Sequence, residues 1–253
     1  MRFGVCAPVS EARNLAEIGF DYIEVSVASL AEMTDEQFAA FCAENDAAPI
    51  HAEAANCMFP GSLRLTGEDA DFAAVQSYLD HAMARLEAAG VSVAVFGSGG
   101  SRRVPEGFPQ ERAWAQLVKV GRMLGETAQK HGVTVALEPL RRAETNILNT
   151  QLEGLRLVQD VAHPHFKLLC DYYHLIVEGG TMEDVEACAG QLVHTHISNP
   201  ENRAAMTPTD CADYKSFFAA LRRIGYDARM SFEGSAPEPK TQLPLTLEVM
   251  RNA

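Results

Sequence analysis

No segment of this 253-residue chain is apolar for long enough to span a membrane, which takes about 20 consecutive apolar residues. The opening "MRFGVCAPVS" has no apolar run followed by a small-residue cleavage site, so no secretory signal is read there. A soluble, cytoplasmic protein is expected. The six cysteines, Cys6, Cys42, Cys57, Cys170, Cys188 and Cys211, form no C-x-x-C pair. In a cytoplasmic protein they are expected to be reduced and buried as small hydrophobes. Positive charge is scarce, with 21 Lys and Arg against 34 Asp and Glu, a formal charge of −13. A nucleic-acid binder needs a basic patch. The pairs Arg102-Arg103 and Arg141-Arg142 do not reverse a field of that sign, so no nucleic-acid partner is expected. The dinucleotide fingerprint G-x-G-x-x-G is also missing after the first strand. "FGSGGS" follows the fourth strand and lacks that spacing.

What the chain does have is alternation. Hydrophobic residues make up 47% of it, enough for a full core. Eight strand-like runs stand out: "RFGVC", "YIEVSV", "APIHAEA", "VSVAVFGS", "VTVALEP", "FKLLCDYY", "LVHTHIS" and "RMSFEGS". Segments of helical period lie between them. Phe72, Val75, Leu79, Ala82, Leu86 and Ala89 fall on one helix face, as do Trp114, Leu117, Gly121, Leu124 and Ala128, and Tyr214, Phe217, Phe218, Leu221 and Ile224. Glycine closes helical segments just before strands in "EIGFDYIEV" and "KHGVTVAL". Strand and helix repeated eight times imply a parallel sheet. The expected fold is a single (β/α)8 barrel over residues 1–253, with an open doubly wound sheet as the alternative. "FPGSLRLTG" and "GSGGSRRVPEGFP" read as long connections on the face that carries barrel active sites.

The last four strand runs each end on ionisable residues. The fifth brings Glu138, the sixth Asp171 and His174, the seventh His194 and His196, the eighth Glu233. Plainer roles exist for each: a loop carboxylate, a turn cap, core histidines, a turn residue. In a barrel, however, these ends converge on one mouth. Three converging carboxylates repel one another and are costly to desolvate. The strand ends supply no lysine or arginine, so a divalent cation is expected. Glu138, Asp171, His196 and Glu233 offer three oxygens and one nitrogen. That set suits Mn²⁺, Mg²⁺ or Co²⁺ ahead of Zn²⁺. His194 lies one layer deeper and is expected to pack beneath His196 or support it. Cys170 should face the other side of its strand.

"ALEPLRRAETN", "CDYYH", "HTHISNPENR" and "SFEG", in that order, resemble the xylose isomerase-like TIM-barrel superfamily. Within it the chain is most similar to the sugar (phosphate) isomerase/epimerase branch, which includes ketose 3-epimerases of the D-tagatose 3-epimerase type. The resemblance implies one divalent ion, Mn²⁺ first, held by Glu138, Asp171, His196 and Glu233. It implies that Glu138 and Glu233 also exchange the substrate proton, through a metal-stabilised enediolate. It places His174, Arg203 and Glu144 at the substrate, with Arg203 one residue further along than the family pattern. The family's Asn-Arg pair is Arg141-Arg142 here, a departure that bears on the substrate more than on the metal. The function implied is a sugar isomerase or epimerase acting on a ketose or related α-hydroxyketone, in a homodimer or homotetramer. The alternative on the same scaffold is a lyase, dehydrating a keto-polyol or cleaving a 3-keto-glycoside. Less favoured are a non-catalytic sugar-binding barrel and an endonuclease IV-like nuclease. The nuclease needs more histidines, and His51 alone matches one of them.

Overall fold

The computed structural model describes residues 1–253. Eight parallel strands close on themselves in chain order, β1 (Arg2–Cys6), β2 (Tyr22–Ser26), β3 (Ala52–Asn56), β4 (Val93–Phe96), β5 (Thr134–Leu137), β6 (Phe166–Asp171), β7 (Leu192–Ile197) and β8 (Arg229–Phe232). Closure is made by β1 against β8, where Arg2 pairs with Arg229 and Val5 with Phe232. Helices α1 (Ala12–Ile18), α2 (Val27–Glu32), α3 (Asp35–Ala47), α4 (Phe72–Ala88), α5 (Gly99–Arg102), α6 (Gln110–Lys130), α7 (Gln151–Val161), α8 (Tyr172–Val177), α9 (Met182–Ala187), α10 (Tyr214–Arg223) and α11 (Pro239–Asn252) complete the chain. This is a single (β/α)8 TIM barrel. No helix is long and apolar enough to cross a membrane.

The periodicity explains where the core sits. The helix positions Val75, Leu79, Ala82 and Leu86, and Leu117, Leu124 and Ala128, are all buried. They belong to a shell of 59 buried apolar residues between barrel and helices. A separate cluster of six, Tyr22, Ala54, Val93, Val95, Ala136 and Leu169, fills the barrel interior. The inner core is small because polar side chains occupy the rest of the inward face. Helix ends follow local chemistry. Gly19, which ends α1, adopts φ 106°, a conformation a Cβ disfavours. Thr150 and Glu153 form a reciprocal capping box at the start of α7.

Two expectations need correction. "APIHAEA" is not a strand from its start, because Ala48–His51 fold back on α3. Asn45 Oδ1 accepts the Ala52 N–H at 2.8 Å, and His51 Nδ1 bonds the Asn45 carbonyl at 2.7 Å. The strand therefore begins at Ala52 and ends at Asn56. The cysteines are all free, but only Cys170 and Cys188 are buried. Cys6 and Cys42 are partly exposed, while Cys57 and Cys211 stand at the surface, in connections rather than in packed elements.

Candidate metal centre

The barrel gathers the four ligand candidates at its C-terminal mouth. Along a strand, alternate residues face the same side. Glu138, Asp171, His196 and Glu233 each follow, two residues on, an inward side chain: Ala136, Leu169, His194 and Ser231. One donor atom from each of the four lies within 4.8 Å of all the others. Asp171 serves two ends at once. Its Oδ1 accepts the Tyr173 N–H at 2.8 Å and caps α8, whereas Oδ2 is buried without any hydrogen-bond partner. Gly97 at the end of β4 gives the cluster room, since a Cβ there would collide with Glu138 Oε2.

A buried carboxylate that the sequence reading did not single out orients the imidazole. Glu24, on β2, accepts from His196 Nε2 at 2.9 Å and from His194 Nε2 at 2.7 Å. Ser231 donates to the same carboxylate and is itself bonded to the Tyr22 hydroxyl at 2.8 Å. With Nε2 engaged, His196 turns Nδ1 to the cluster, 3.3 Å from Glu138 Oε1 and 3.2 Å from Glu233 Oε2. His194 thus lies beneath His196, its Nε2 held by a carboxylate rather than by backbone, while its Nδ1 is buried without a partner. The signal was present in "YIEVSV": a glutamate in register with Tyr22, between apolar residues that face outward.

A cation also reaches the site, contrary to the expectation drawn from strand ends alone. Arg203 comes from the loop after β7, with a left-handed φ of 53°. Its backbone carbonyl accepts the Ser235 N–H at 2.9 Å, which pins the loop to the end of β8. Its guanidinium donates to Glu233 Oε2 at 2.7 Å and Glu144 Oε1 at 3.3 Å, and lies 3.8 Å from Asp171 Oδ2. Glu144 also accepts from Arg141 Nε at 2.8 Å. Both arginines lie over the Tyr173 ring. Arg142 points away and pairs with Glu178. His174 accepts the Arg141 N–H through Nδ1 at 3.3 Å, so a neutral ring carries its proton on Nε2. That nitrogen is buried and unpartnered, 3.6 Å from Asp171 Oδ2. Asn56, at the shifted end of β3, donates to Glu233 Oε1 at 3.2 Å. The basic pair in "GSGGSRR" does not line the mouth as substrate groups would. Arg102 is fully buried and donates to the carbonyls of Phe96 and Glu138, and Arg103 donates to that of Glu144. His51 sits just before β3, at the opposite end of the barrel, and cannot serve a metal at this mouth.

Electrostatics divide the carboxylates. Burial, reinforced by Glu138 and Glu233, pushes Asp171 up to about 7. Burial likewise raises Glu138. Glu233 is partly shielded from water, which opposes its charge, but His196 and Arg203 outweigh this and hold it down at about 2. For His196, burial works against the cation, yet Glu24 and Glu233 keep the imidazole well above its ordinary value. Burial, with Arg203 adding, holds His174 neutral, down at about 3. Burial also raises the Cys6 thiol, close to Glu24 and His196, so it is a poor source of thiolate. The donor set fits a divalent cation: convergent oxygens, one of them without a partner, and an imidazole nitrogen fixed by an acceptor on its far side.

A closed parallel barrel with its polar cluster at the C-terminal mouth defines a (β/α)8 protein with its site on the face where such barrels carry their chemistry. The model of the family described as xylose isomerase-like TIM barrel matches residues 12–253, and the chain belongs to that family. Over 142 residues it is 38% identical to the L-ribulose 3-epimerase of Methylomonas sp. strain DH-1, covering 54% of this chain and 48% of that protein. It is 25% identical over 228 residues to the D-psicose 3-epimerase of Agrobacterium fabrum strain C58, covering 87% and 76%. The solved structure of a D-allulose 3-epimerase from Methylomonas sp. in complex with D-allulose superposes with a TM-score of 0.80 at 28% identity, over 100% of this chain and 90% of that one. The chain spans about half the length of that L-ribulose 3-epimerase, of a second from Mesorhizobium japonicum and of the ketose 3-epimerase of Arthrobacter globiformis.

Proposed function

We propose that this chain is a divalent-metal-dependent sugar isomerase or epimerase acting on a ketose or related α-hydroxyketone. The observation that carries the reading is the meeting of Glu138, Asp171, His196 and Glu233 within 4.8 Å, with Asp171 Oδ2 buried and unpartnered. The names of relatives support the same reading, among them L-ribulose 3-epimerases and D-psicose 3-epimerases. The four side chains hold one ion, Mn²⁺ ahead of Mg²⁺ or Co²⁺, with zinc last. When bound, the ion supplies Lewis acidity and a template for the substrate's carbonyl and neighbouring hydroxyl.

The remaining roles belong to the chain itself. Glu138 and Glu233 come from strands β5 and β8, separated around the mouth by β6 and β7, and so approach a substrate carbon from different sides. One takes the proton beside the carbonyl, and for epimerisation the other returns one to the opposite face. His174 donates its Nε2 proton to a substrate oxygen, since no protein acceptor holds it. Arg203, steadied by Glu144, offers its fork to further oxygens. Deuterium incorporation from solvent into a panel of ketoses, with Mn²⁺ added, tests the reading. Glu138→Gln and Glu233→Gln should each slow exchange by about 10²–10⁴-fold. Exchange at the wild-type rate in either variant would remove that residue from the mechanism. Loss of water or of an aglycone from the substrate, in place of simple exchange, would make the protein a lyase.

A further inference from the structure

The two glutamates at the mouth dispose their oxygens differently. Each offers one oxygen to the ligand set and has one to spare. Glu233 turns Oε2 inward, 3.2 Å from His196 Nδ1 and 2.7 Å from the Arg203 guanidinium. Its other oxygen, Oε1, accepts from the Asn56 side-chain amide at 3.2 Å. Glu138 turns Oε1 inward, 3.3 Å from the same imidazole nitrogen. Its Oε2 lies against Gly97, and no protein donor holds it. Of the two spare oxygens, only that of Glu233 is held in place.

Asn56 is itself firmly placed. Ala54 belongs to the barrel interior, and Asn56, two residues on, points to the same side. It is the last residue of β3 and pairs with Ser26. Cys57 follows with a left-handed φ of 52°, which turns the chain off the strand. The Cys57 carbonyl accepts the Ala28 N–H and the Met58 N–H donates to the Val95 carbonyl, both at 3.2 Å, so the turn is tied on both sides. The amide also donates to Cys6 Sγ at 3.5 Å. Its two N–H groups thus serve Glu233 and Cys6, which fixes its orientation, because a flipped amide would set one oxygen against another. A carboxylate oxygen has two lone pairs, so Oε1 keeps one free while it accepts from Asn56. Asn56, Glu138 and Glu233 all line the cavity of about 630 Å³ at the mouth.

We propose that Asn56 is a positioning residue for proton transfer: its amide aims Glu233 Oε1 at the substrate carbon, so that Oε1 moves the proton while Oε2 remains among the ligand atoms. The inference rests on the epimerase reading and deepens it. In one direction a C–H bond breaks, its proton passes to Oε1 and its electron pair moves into the adjacent carbonyl. Glu138 then gives a proton to the opposite face, the new C–H bond forms and the carbonyl is restored. In the other direction the two glutamates exchange roles. Exchange of protons with water returns both to their starting states.

The test uses the full chain with Mn²⁺ and two pairs of 3-epimers, D-psicose with D-fructose and L-ribulose with L-xylulose, keeping the pair that wild type interconverts faster. Asn56→Leu retains the side chain's shape without its donor, and Asn56→Ala removes both. In each variant kcat should fall about 10–100-fold, with KM and the calorimetric Kd for Mn²⁺ within about threefold of wild type, since the bond aims a reacting atom and holds neither substrate nor ion. Isotope effects then separate aiming from a general loosening of the mouth. Both ketoses are deuterated at C3. With the step at Glu233 made slow, the primary effect on kcat/KM should rise for the epimer that loses its proton to Glu233. It should fall toward unity for the other, whose C–D bond breaks at Glu138 before the slow step. Effects that move in the same direction for both epimers would overturn the inference, as would a wild-type kcat in Asn56→Leu. A loss of Mn²⁺ affinity of about tenfold or more would also overturn it, placing the role of Asn56 at the ion. In all three cases the epimerase reading survives. Wild-type protein that binds Mn²⁺ and epimerises neither pair would end both.

Discussion

Glu24 decides how His196 is presented. A carboxylate offers two oxygens and accepts from both His194 and His196. An amide offers one oxygen, and its nitrogen cannot accept a second N–H. Glu24→Gln therefore leaves one buried histidine without its acceptor and frees the imidazole of His196 to turn. Groups that steer a metal-binding histidine in this way are typically worth 10–100-fold in metal affinity. Titration calorimetry with Mn²⁺ should show a loss of about that size in Glu24→Gln. Affinity equal to wild type would mean that packing alone orients His196. Gly97 acts on the same centre by its lack of a side chain. Gly97→Ala presses on the Glu138 carboxylate and should weaken Mn²⁺ binding measurably in the same titration.

At the scale of elements, the ends of β4 and β5 are joined by Arg102. It leaves the short helix α5, runs fully buried, and binds the Phe96 and Glu138 carbonyls at 3.1 and 2.7 Å. Arg102→Met keeps the apolar stem and leaves the Glu138 carbonyl without a partner, whereas the Phe96 carbonyl still accepts the Glu138 N–H at 3.1 Å. A buried acceptor without a partner costs about 1–3 kcal/mol, so the variant should lose about that much. For a chain of this size that is a fall in Tm of about 2–12 °C, readable by calorimetry. A Tm equal to wild type would show that another donor reaches that carbonyl. The sequence does not disclose this role, because burial of Arg102 exists only once the barrel has closed beside α5. In "SRRV" the pair looks like exposed charge. The same limit hid Asn56. The turn made by Asn45 and His51 moved β3 along by several residues, and nothing local announces that turn. Arg203 was legible only through its motif, because the loop that carries it is fixed by a backbone bond to Ser235, far along the chain. By contrast the eight-fold alternation and the four ligand candidates stood out. An ionisable residue closing an apolar run is visible without tertiary knowledge, and barrel geometry brings such residues together.

For the whole molecule, the cluster sets a charge problem that a bound divalent ion would resolve. The chain carries a net charge of −13, and three carboxylates converge at one mouth with Arg203 and His196 as their counter-charges. Burial, with Glu138 and Glu233 adding, raises Asp171 to about 7 in the fold, against about 3.9 for an unfolded chain. The sign follows directly. A group raised in this way stabilises the fold fully below about pH 4, and that contribution is lost as pH rises through about 7. A divalent cation reverses the trend, because it binds the ionised carboxylates and must displace protons where they are present. Mn²⁺ at 100 times its Kd should add about 2.7 kcal/mol of stability, and a chelator should remove it. The rise in Tm on adding a fixed Mn²⁺ concentration should be larger at pH 8 than at pH 5.5, and binding near pH 6 should release protons into the buffer. Thermal melts at the two pH values, with and without Mn²⁺, check both parts. An equal rise at both pH values would mean that the ion binds away from Asp171, and no rise at either would remove the metal from this mouth altogether.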